Sequence, residues 1–351
     1  MGIKKETEIG TIRIKTDLIA YQKTTNSWKK LKKQFPQIKE IAKLFKLHNN
    51  FDILIDQKKP NFLKGQLSPN NKIRGARIVS LPDGTKLDKA YSLFANNLTI
   101  HDQSSDEHWD VLFQNQGGTW AYSYSLDKKA KHVSAKYKKV NLFDKKYPIL
   151  IKNVFSSLKN KNDPFALPMY TLLKTKMRVG NEIYYKLNKH KGLTTLKKKD
   201  IKIKKSKVEF KYVGKDGVPH DIIEDFPITY ITKLKKCLSS LKMHDFVFVS
   251  KPGKPLSDKE FKLAFKKYCS IEFYPHIVRS HYATMTVKNF IKGKRKLDKQ
   301  EVKDLYLKIA GVLGHKKFVK KENIWKDSFN VTIHHYIDPY LVERIKKLVS
   351  K

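Results

Sequence analysis

The sequence predicts an α+β fold, in which a strand-rich N-terminal domain precedes a mostly helical C-terminal domain with a small three-stranded antiparallel sheet. Three observations support this prediction. The length of 351 residues suits two domains, each able to bury its own core. Residues 71–140 contain short β-rich segments separated by turn signals. From residue 148 onward, apolar residues recur mostly at helical spacing, with one strand-like interruption.

The N-terminal domain is predicted over residues 1–146. An extended segment at 11–15 comes first, and apolar residues at helical spacing predict a helix over 27–48. Further strands, separated by Pro-Asp-Gly and Gly-Gly turn signals, are predicted at 77–81, 109–113 and 119–124. The lysine-rich stretch 128–146 marks the boundary with the next domain.

The aromatic residues of these strands have two interpretations. They can fill the domain core, or they can offer flat rings to nucleic-acid bases. We expect core positions, because large aromatic side chains dominate the packing of small domains. The residues concerned are Trp109, Trp120, Tyr122 and Tyr124.

The C-terminal domain, residues 147–351, contains a predicted β-hairpin. Residues 208–213 alternate like a strand, residues 214–217 contain two glycines and supply a turn, and residues 218–223 return. Lys215 should therefore lie at the tip of the hairpin, where it can reach into a groove. An ordinary exposed turn lysine is the alternative. The basic run 197–207 before the hairpin is predicted to be a solvated face.

Helices are predicted around the hairpin from capping signals. Residues 275–291 form one helix, which opens at its proline and carries Arg279. Asp298 should cap a helix over 299–313, which Gly314 ends. Asp338 and the following proline should begin a last helix through residue 348, so that Tyr336 lies exposed just before it.

The charge predicts a polyanionic partner. A formal charge of +41 and a pI near 9.9 require such a partner or disorder, and 40% apolar content with 17 tyrosines argues against disorder. The lysines are interleaved with apolar residues, as expected for folded elements that follow a phosphate backbone. We therefore predict double-stranded DNA as the partner. An anionic membrane surface is the competing partner, but no basic amphipathic helix stands apart from the packed pattern.

Several classes of protein are excluded by what the sequence lacks. Cys237 and Cys269 are too few and too far apart for a structural zinc site or a disulfide framework, and they suit a reducing compartment. No phosphate-binding G-x-x-x-x-G-K-[ST] loop occurs, so we expect no ATP. The lysine-rich start has no apolar signal region, and no run is long enough to span a membrane. We expect a soluble intracellular monomer without metal or cofactor.

Arginine usage singles out the candidate site. Only seven of the 74 Lys and Arg residues are arginine, so arginine is expected mainly where a planar two-pronged donor is needed. Such donors can hold the non-bridging oxygens of one phosphate, while a histidine adds a donor, a lysine protonates a leaving oxygen and a tyrosine attacks. Five residues in chain order suit these tasks: Arg178, Lys215, Arg279, His315 and Tyr336.

Motifs around these five residues resemble those of type IB DNA topoisomerases of the compact poxvirus-like and prokaryotic branch, which share a catalytic domain with tyrosine recombinases. The segments that carry the resemblance are 178–196 (RVGNEIYYKLNKHKGLTTL), 210–220 (FKYVGKDGVPH), 276–284 (HIVRSHYAT), 313–315 (LGH) and 336–339 (YIDP). Further similarity is suspected at 100–109. As a set these motifs are specific, although each alone is weak.

The resemblance implies roles for the residues. Tyr336 would be the nucleophile that forms a 3′-phosphotyrosyl link, Arg178, Arg279 and His315 would hold the phosphate in the transition state, and Lys215 would protonate the departing 5′ oxygen. The implied activity is relaxation of supercoiled DNA by transient single-strand cleavage. Residues 1–146 would then clamp DNA and residues 147–351 would form the catalytic domain, in a prokaryotic nucleoid or cytoplasm or a viral replication compartment.

Two departures from the family pattern keep alternatives open. Twenty residues separate His315 from Tyr336, more than the family usually has. Tyr340 is therefore the rival nucleophile, a structural role for Tyr336 is a further alternative, and the added stretch is either a DNA-contacting loop or a surface insertion. The second arginine motif reads His-x-x-Arg, as in recombinases, so His276 is a candidate auxiliary residue.

Three functions therefore remain open from the sequence. The leading function is that of a topoisomerase, which the strand-rich N-terminal part favours. The alternatives are a tyrosine recombinase or integrase, and a non-catalytic basic nucleic-acid-binding protein. Under the leading function we predict DNA contacts from these residues: Asn181, Lys197, Lys198, Lys199, Lys316 and Lys317.

Overall fold

The computed structural model describes residues 7–101, 109–160 and 162–349. Most of the segment 100–109, where further similarity was suspected, lies outside these residues. The chain divides into two compact units, residues 1–135 and 136–351. The expected boundary between residues 146 and 147 instead lies inside the helix α2 (Leu126–Ser157). The lysines of this stretch alternate with buried Tyr137, Val140 and Phe143, which recur at helical spacing and continue the helix through it.

The N-terminal unit is strand-rich, as predicted. Its strands form a five-stranded sheet of order β3-β2-β1-β4-β5, a three-stranded sheet of order β10-β9-β8 and a β6-β7 pair. The strands are β1 (Ile12–Ile14), β2 (Ala20–Lys23), β3 (Trp28–Lys30), β4 (Gln66–Leu67), β5 (Ile73–Arg74), β6 (Ile78–Ser80), β7 (Lys86–Tyr91), β8 (Asn96–Ile100), β9 (Val111–Gln114) and β10 (Trp120–Ser123). Their apolar residues form one buried cluster with the helix α1 (Pro36–Leu47).

Two expectations for this unit were wrong. The helix predicted over 27–48 begins only at Pro36, because residues before it form β3 at the edge of the five-stranded sheet. The aromatic residues of β10 are not core residues, since Trp120 and Tyr122 are 49% and 41% exposed. Side chains alternate along β10, and the smaller Ala121 and Ser123 occupy its more buried positions.

Helices dominate the second unit, also as predicted. Besides the larger part of α2, they are α3 (Ala166–Thr175), α4 (Glu182–Asn188), α5 (Ile228–Ser239), α6 (Asp258–Cys269), α7 (Ile277–Phe290), α8 (Lys299–Leu313), α9 (Asn330–Tyr336) and α10 (Pro339–Val349). The predicted caps are present: Asp298 accepts hydrogen bonds from Gln300 and Glu301, and Gly314 ends α8 at a φ of 65°. Asp338 likewise accepts from the amide of Tyr340 at the start of α10.

The predicted three-stranded antiparallel sheet is also confirmed. It has the order β11-β12-β13, from β11 (Ile201–Lys204), β12 (Lys207–Val213) and β13 (Pro219–Asp225). Lys215 lies in the turn between β12 and β13, where Asp216 has a φ of 60° and Gly217 a φ of 78°. A short pair, β14 (Val249–Lys251) and β15 (Lys254–Pro255), lies further along the chain.

The added stretch between His315 and Tyr336 forms a hairpin and a helix. The hairpin consists of β16 (Lys316–Val319) and β17 (Ile324–Asp327), and α9 follows it. The rings of Phe318 and Trp325 pair across the two strands with centroids 5.3 Å apart. Helix α9 packs on α7, α8 and α10 in one apolar cluster that includes Tyr336. Within the described part of the chain, no helix is long and apolar enough to cross a membrane.

Candidate active site

Tyr336, the last residue of α9, lies at the centre of the candidate site. It is only 4% exposed, so the expectation that it would be exposed was wrong. The added hairpin and α9 return the chain to the face of α7 and α8, where Tyr336 joins their core. The rings of His276 and His315 lie 5.5 and 4.7 Å from its ring, and the guanidinium of Arg279 lies 5.1 Å from it. Three of the predicted site residues thus surround the tyrosine.

His276 contacts the tyrosine hydroxyl directly. Its Nε2 atom lies 2.8 Å from the hydroxyl oxygen of Tyr336 and 3.4 Å from Nη1 of Arg178. A guanidinium can only donate, so the 3.4 Å contact assigns the unprotonated state to Nε2, and its single lone pair accepts mainly from the tyrosine hydroxyl at 2.8 Å. Burial, reinforced by nearby cations, lowers the pKa of His276 to about 3. A neutral histidine thus holds a lone pair against the hydroxyl proton.

Arg279 is buried, and not all of its N–H groups have an acceptor among the described residues. It is 2% exposed, and it donates to the carbonyl oxygens of Lys176 and Leu313 at 2.6 and 2.8 Å and to His315 Nε2 at 3.0 Å. These bonds use three of the five guanidinium N–H groups. Its Nε–H has no partner among the described residues. A buried unpaired donor is costly unless a ligand satisfies it, so the guanidinium is prepared to bind an anion.

His315 is held by hydrogen bonds at both ring nitrogens. Nε2 accepts from Arg279, so the proton lies on Nδ1, which is 2.8 Å from Oγ1 of the buried Thr332 on α9. Burial first, and then the neighbouring arginines, lower the pKa of His315 to about 3. In this arrangement His315 accepts from Arg279, and its predicted role as a phosphate donor requires the proton to move to Nε2.

Arg178 is fixed through its backbone by two close loop segments. Its carbonyl oxygen accepts from the amide of Leu193 at 2.8 Å, and the carbonyl of Val179 accepts from Thr194 at 2.7 Å. Gly192 packs so tightly here that a Cβ atom on it would lie 2.6 Å from both the Arg178 carbonyl oxygen and the Cα of Gly180. This close approach, rather than its extended φ of −147°, requires glycine.

We therefore expect Gly192→Ala to slow covalent capture of DNA. The added methyl group must displace the Arg178 backbone, and a shift of about 1 Å at a reacting group can cost on the order of 10²-fold in rate. The measurement is the single-turnover rate of adduct formation, with DNA affinity and thermal melting recorded in parallel. Gly117→Ala is the matched control, because nothing lies within 4 Å of its new methyl group. An unchanged rate in a folded Gly192→Ala protein would contradict this role for the glycine.

Lys215 lines the same cavity as two other candidate residues. The cavity has a volume of about 530 Å³, and Arg178, Lys215 and His276 all line it. Lys215 itself is exposed at the hairpin tip, as predicted. The rival nucleophile Tyr340 is 72% exposed on α10. The geometry therefore groups Tyr336 with the other candidates and leaves Tyr340 at the surface.

The six residues predicted to contact DNA form three pairs that differ in exposure and partners. Lys199 and Lys317 are exposed. Lys197 lies over the rings of Tyr185 and Phe246, and Lys198 donates to the carbonyl of Leu241 at 2.7 Å, so the run 197–207 is only partly a solvated face.

The remaining two have partners at loop ends. The side chain of Asn181 caps α4 by accepting from the amide of Tyr184 at 3.0 Å. Lys316 donates to the carbonyl of Pro219 at 3.3 Å. Contact of any of these residues with DNA stays a prediction.

Three residues at the site were not found by sequence reasoning. Lys136 of α2 donates to the carbonyl of His335, and its Nζ lies 5.7 Å from the ring of Tyr336. Thr332 holds His315, and His220 packs beside the Lys215 turn. No local motif marks Lys136 among the many lysines. His220 does lie within the motif 210–220. Its position opposite the aromatic Tyr212 in the predicted hairpin is the sequence signal that could have identified it.

The geometry agrees with a comparison against known families. The family described as "Eukaryotic DNA topoisomerase I, catalytic core" matches residues 125–336, more than half of the chain. The chain belongs to this family. The match begins at α2 and ends at Tyr336, so it includes all the predicted catalytic residues. The family match and the similarity to a viral DNA topoisomerase 1B both support a type IB topoisomerase.

Individual similarities are more limited. The chain is similar to "DNA topoisomerase 1B" of Acanthamoeba polyphaga mimivirus, with 31% identity over 96 residues. This match covers 27% of the chain and 28% of that relative. Among solved structures, the XerH site-specific recombinase bound to its difH substrate in a pre-cleavage complex matches with a TM-score of 0.33 and 16% identity. That match covers 47% of this chain and 46% of the recombinase.

Proposed function

We propose that this topoisomerase I family member relaxes supercoiled DNA by cleaving and rejoining one strand through a covalent link to Tyr336. One observation carries the proposal. The buried hydroxyl of Tyr336 donates to the neutral Nε2 of His276, beside a buried arginine with an unpaired donor. A structural tyrosine needs a hydrogen-bond partner, but it does not need a neutral histidine that also contacts Arg178, or the guanidinium of Arg279 5.1 Å from its ring.

The first chemical step is a transesterification at phosphorus. The oxygen of Tyr336 forms a bond to phosphorus, and its proton passes to Nε2 of His276. The bond from phosphorus to the 5′ oxygen breaks, and Lys215 supplies a proton to that oxygen. The DNA is then held by a 3′-phosphotyrosyl link with a free 5′-hydroxyl end. Tyrosine is a weak nucleophile at its reference pKa of about 10, so removal of its proton during attack is the role we assign to His276.

The arginines stabilise the charge that develops on the phosphate. Arg279 can offer its unpaired Nε–H to a non-bridging oxygen without breaking its three existing bonds. Arg178 can offer the donors that it does not direct to His276. Fixed donors in a buried site are the largest single contribution in many transfer reactions. His315, with its Nε2 turned to Arg279, mainly orients that guanidinium in the free enzyme.

Strand rotation and religation complete the proposed cycle. Religation reverses the first step: the 5′-hydroxyl attacks phosphorus, Lys215 accepts its proton, and His276 returns a proton to Tyr336. The phosphotyrosyl link conserves the bond energy, so the proposal includes no requirement for ATP. No group of three or more potential metal ligands occurs among the described residues, and metal independence is part of the proposal to be tested.

DNA binding is proposed from charge and from exposed aromatic rings. A charge of +41 on 351 residues supplies strong attraction to a phosphate backbone. In the catalytic unit, Lys199 and Lys317 are exposed cations of the predicted contact set. In the N-terminal unit, Trp120 and Tyr122 expose their rings on β10 and can contact bases or sugars. We propose that this unit clamps DNA and that the protein acts as a monomer.

The salt dependence of DNA binding tests this electrostatic contact. Log affinity should fall with log salt at a slope near −0.9 per neutralised phosphate, and removing one phosphate contact should reduce the slope by about one. We therefore expect Lys199→Ser with Lys317→Ser to reduce the slope by about two on duplex DNA. Lys303→Ser is the matched control, an exposed lysine near the opposite end of α8 from His315. Equal slopes for the double variant and wild type would exclude these two lysines as phosphate contacts.

Relaxation of plasmid DNA tests the proposed activity itself. The protein should relax both positively and negatively supercoiled plasmid in EDTA without ATP, through a series of topoisomers. A recombinase would instead join strands of different duplexes and leave unpaired plasmids supercoiled. Binding without any change of linking number or any covalent adduct would support the non-catalytic alternative and overturn the proposal.

A further inference from the structure

The ring of His220, at the start of β13, is closely packed although it forms no hydrogen bond with the described residues. Its ring stacks on that of Tyr212 in β12, the residue opposite it in the sheet, with centroids 4.8 Å apart and planes within 8°. Neither ring nitrogen has a hydrogen-bond partner among the residues that the structure describes. The ring is therefore held here by packing rather than by hydrogen bonds.

Two glycines enclose the ring of His220 from different elements. A Cβ atom on Gly214 would lie 2.6 Å from Nε2 of His220, and a Cβ atom on Gly314 would lie 2.2 Å from its Cε1. These distances are shorter than any real contact between such atoms, so only glycine is tolerated at either position while the ring stays in place. The two glycines immediately precede Lys215 and His315 in the chain.

Glycine at position 214 is explained by this contact alone. Its φ of −92° is accessible to any residue, so the backbone does not demand glycine. Gly314 has a second reason, since its φ of 65° ends α8 in the left-handed region. The two turns are further joined by Lys316, which donates to the carbonyl of Pro219.

Burial and the neighbouring cations keep the ring of His220 neutral. Burial, with additional effects from Arg279, Lys316 and Arg178, lowers the pKa of His220 to about 4. An uncharged planar ring can therefore lie between two catalytic turns in a site that is rich in cations. A lysine or arginine side chain of similar reach would add a like charge beside Arg279.

We propose that His220 is a positioning residue, which fixes the Lys215 turn against the His315 turn by filling the space between Gly214 and Gly314. This inference rests on the proposed function of Lys215 as the acid that protonates the 5′ oxygen. The Lys215 side chain is exposed and has no hydrogen-bond or ion-pair partner among the described residues, so the position of its turn decides where its ammonium group lies. The ring would thereby couple the placement of the acid to the element that orients Arg279.

A double-mutant cycle tests the packing directly. Gly214→Ala alone should slow formation of the covalent adduct on the order of 10²-fold, because the new methyl group must displace the ring and the turn. In a His220→Ala background the same methyl group meets no ring, so Gly214→Ala should cause little further loss. Equal losses in both backgrounds, or a wild-type rate for folded His220→Ala, would overturn the proposal. If His220→Ala does not fold, His220→Asn takes its place in the cycle.

A second measurement asks whether His220 acts through Lys215. A substrate with sulfur in place of the bridging 5′ oxygen has a leaving group that needs no proton. His220→Ala should regain most of its rate on this substrate, as Lys215→Ala should. His281→Ala is the control: this buried histidine pairs with Asp144 and packs on Tyr147, so any rate loss should be the same on both substrates.

The outcomes separate this inference from the proposed function. If Lys215→Ala regains its rate on sulfur and His220→Ala does not, His220 does not position the acid and the inference fails. If neither variant regains its rate, the acid role of Lys215 fails with the inference built on it. In that case the cycle between Gly214 and His220 still shows whether the ring holds the two turns together.

Discussion

Tyr336→Phe should abolish covalent capture of DNA while DNA binding stays close to that of the wild type. The substitution removes only the hydroxyl oxygen, which is the atom that attacks phosphorus in the proposed reaction. The ring is 4% exposed and is packed by His276, His315 and Arg279, so phenylalanine should fill the same space. The measurement is recovery of a protein–DNA adduct after denaturation, with peptide mapping of the linked residue in wild type.

Tyr340→Phe is the matched control for this experiment. Tyr340 lies four residues later and is 72% exposed, so its variant should form the adduct at the wild-type rate. An adduct mapped to Tyr340, or a Tyr336→Phe protein that still links to DNA, would show that the nucleophile was wrongly assigned. Loss of binding together with loss of the adduct would instead indicate a structural role for Tyr336.

Lys215→Ala should slow strand cleavage by about 10² to 10⁴, which is the usual range when a general acid is lost. Lys215 is exposed at the hairpin tip, so the substitution should not affect folding. Lys207→Ala is the matched control. Lys207 is an exposed lysine at the start of β12, at the end of the strand away from the Lys215 turn. Both variants are compared with wild type in single-turnover cleavage of a duplex with one cleavage site.

Sulfur at the bridging 5′ position then distinguishes an acid from a phosphate ligand. Lys215→Ala should regain most of its cleavage rate on the sulfur substrate, since the leaving thiolate needs no proton. Arg178→Ala should stay slow on both substrates, because its contacts to the non-bridging oxygens are still missing. Two variants that remain equally slow on sulfur would make Lys215 a positioning residue, and the acid would then be sought among its neighbours, beginning with His276.

The free enzyme's hydrogen bonds refine the role of the histidines. His276 and His315 both direct an unprotonated Nε2 toward an arginine, and burial lowers the pKa of each to about 3. At neutral pH they therefore act as hydrogen-bond acceptors. His276 therefore keeps a lone pair for the tyrosine hydroxyl, and its role as proton acceptor requires the bound phosphate anion to offset the nearby cations that weaken it as a base. His315 orients Arg279 in the free enzyme, and it can donate to phosphate only after its proton moves to Nε2.

The sequence by itself determined the elements whose signals are local. The α8 helix begins at the Asp298 cap and ends at Gly314 as predicted, because a capping carboxylate and a left-handed glycine act within one turn. The β12–β13 hairpin was predictable for the same reason, since alternation and turn glycines act over neighbouring residues. The order of the candidate residues and the +41 charge were likewise readable from the chain.

Only the tertiary structure decided how those elements meet. The burial of Tyr336 depends on α9 packing against α7 and α8, which the local pattern before Asp338 does not encode. Lys136 reaches the carbonyl of His335 across about 200 residues of chain, and no spacing rule connects them. His220 is enclosed by Gly214 and Gly314, and the second of these contacts joins a hairpin to the end of a distant helix. Contacts of this kind arise when whole elements pack, because packing depends on shapes and distances that are set by the entire unit.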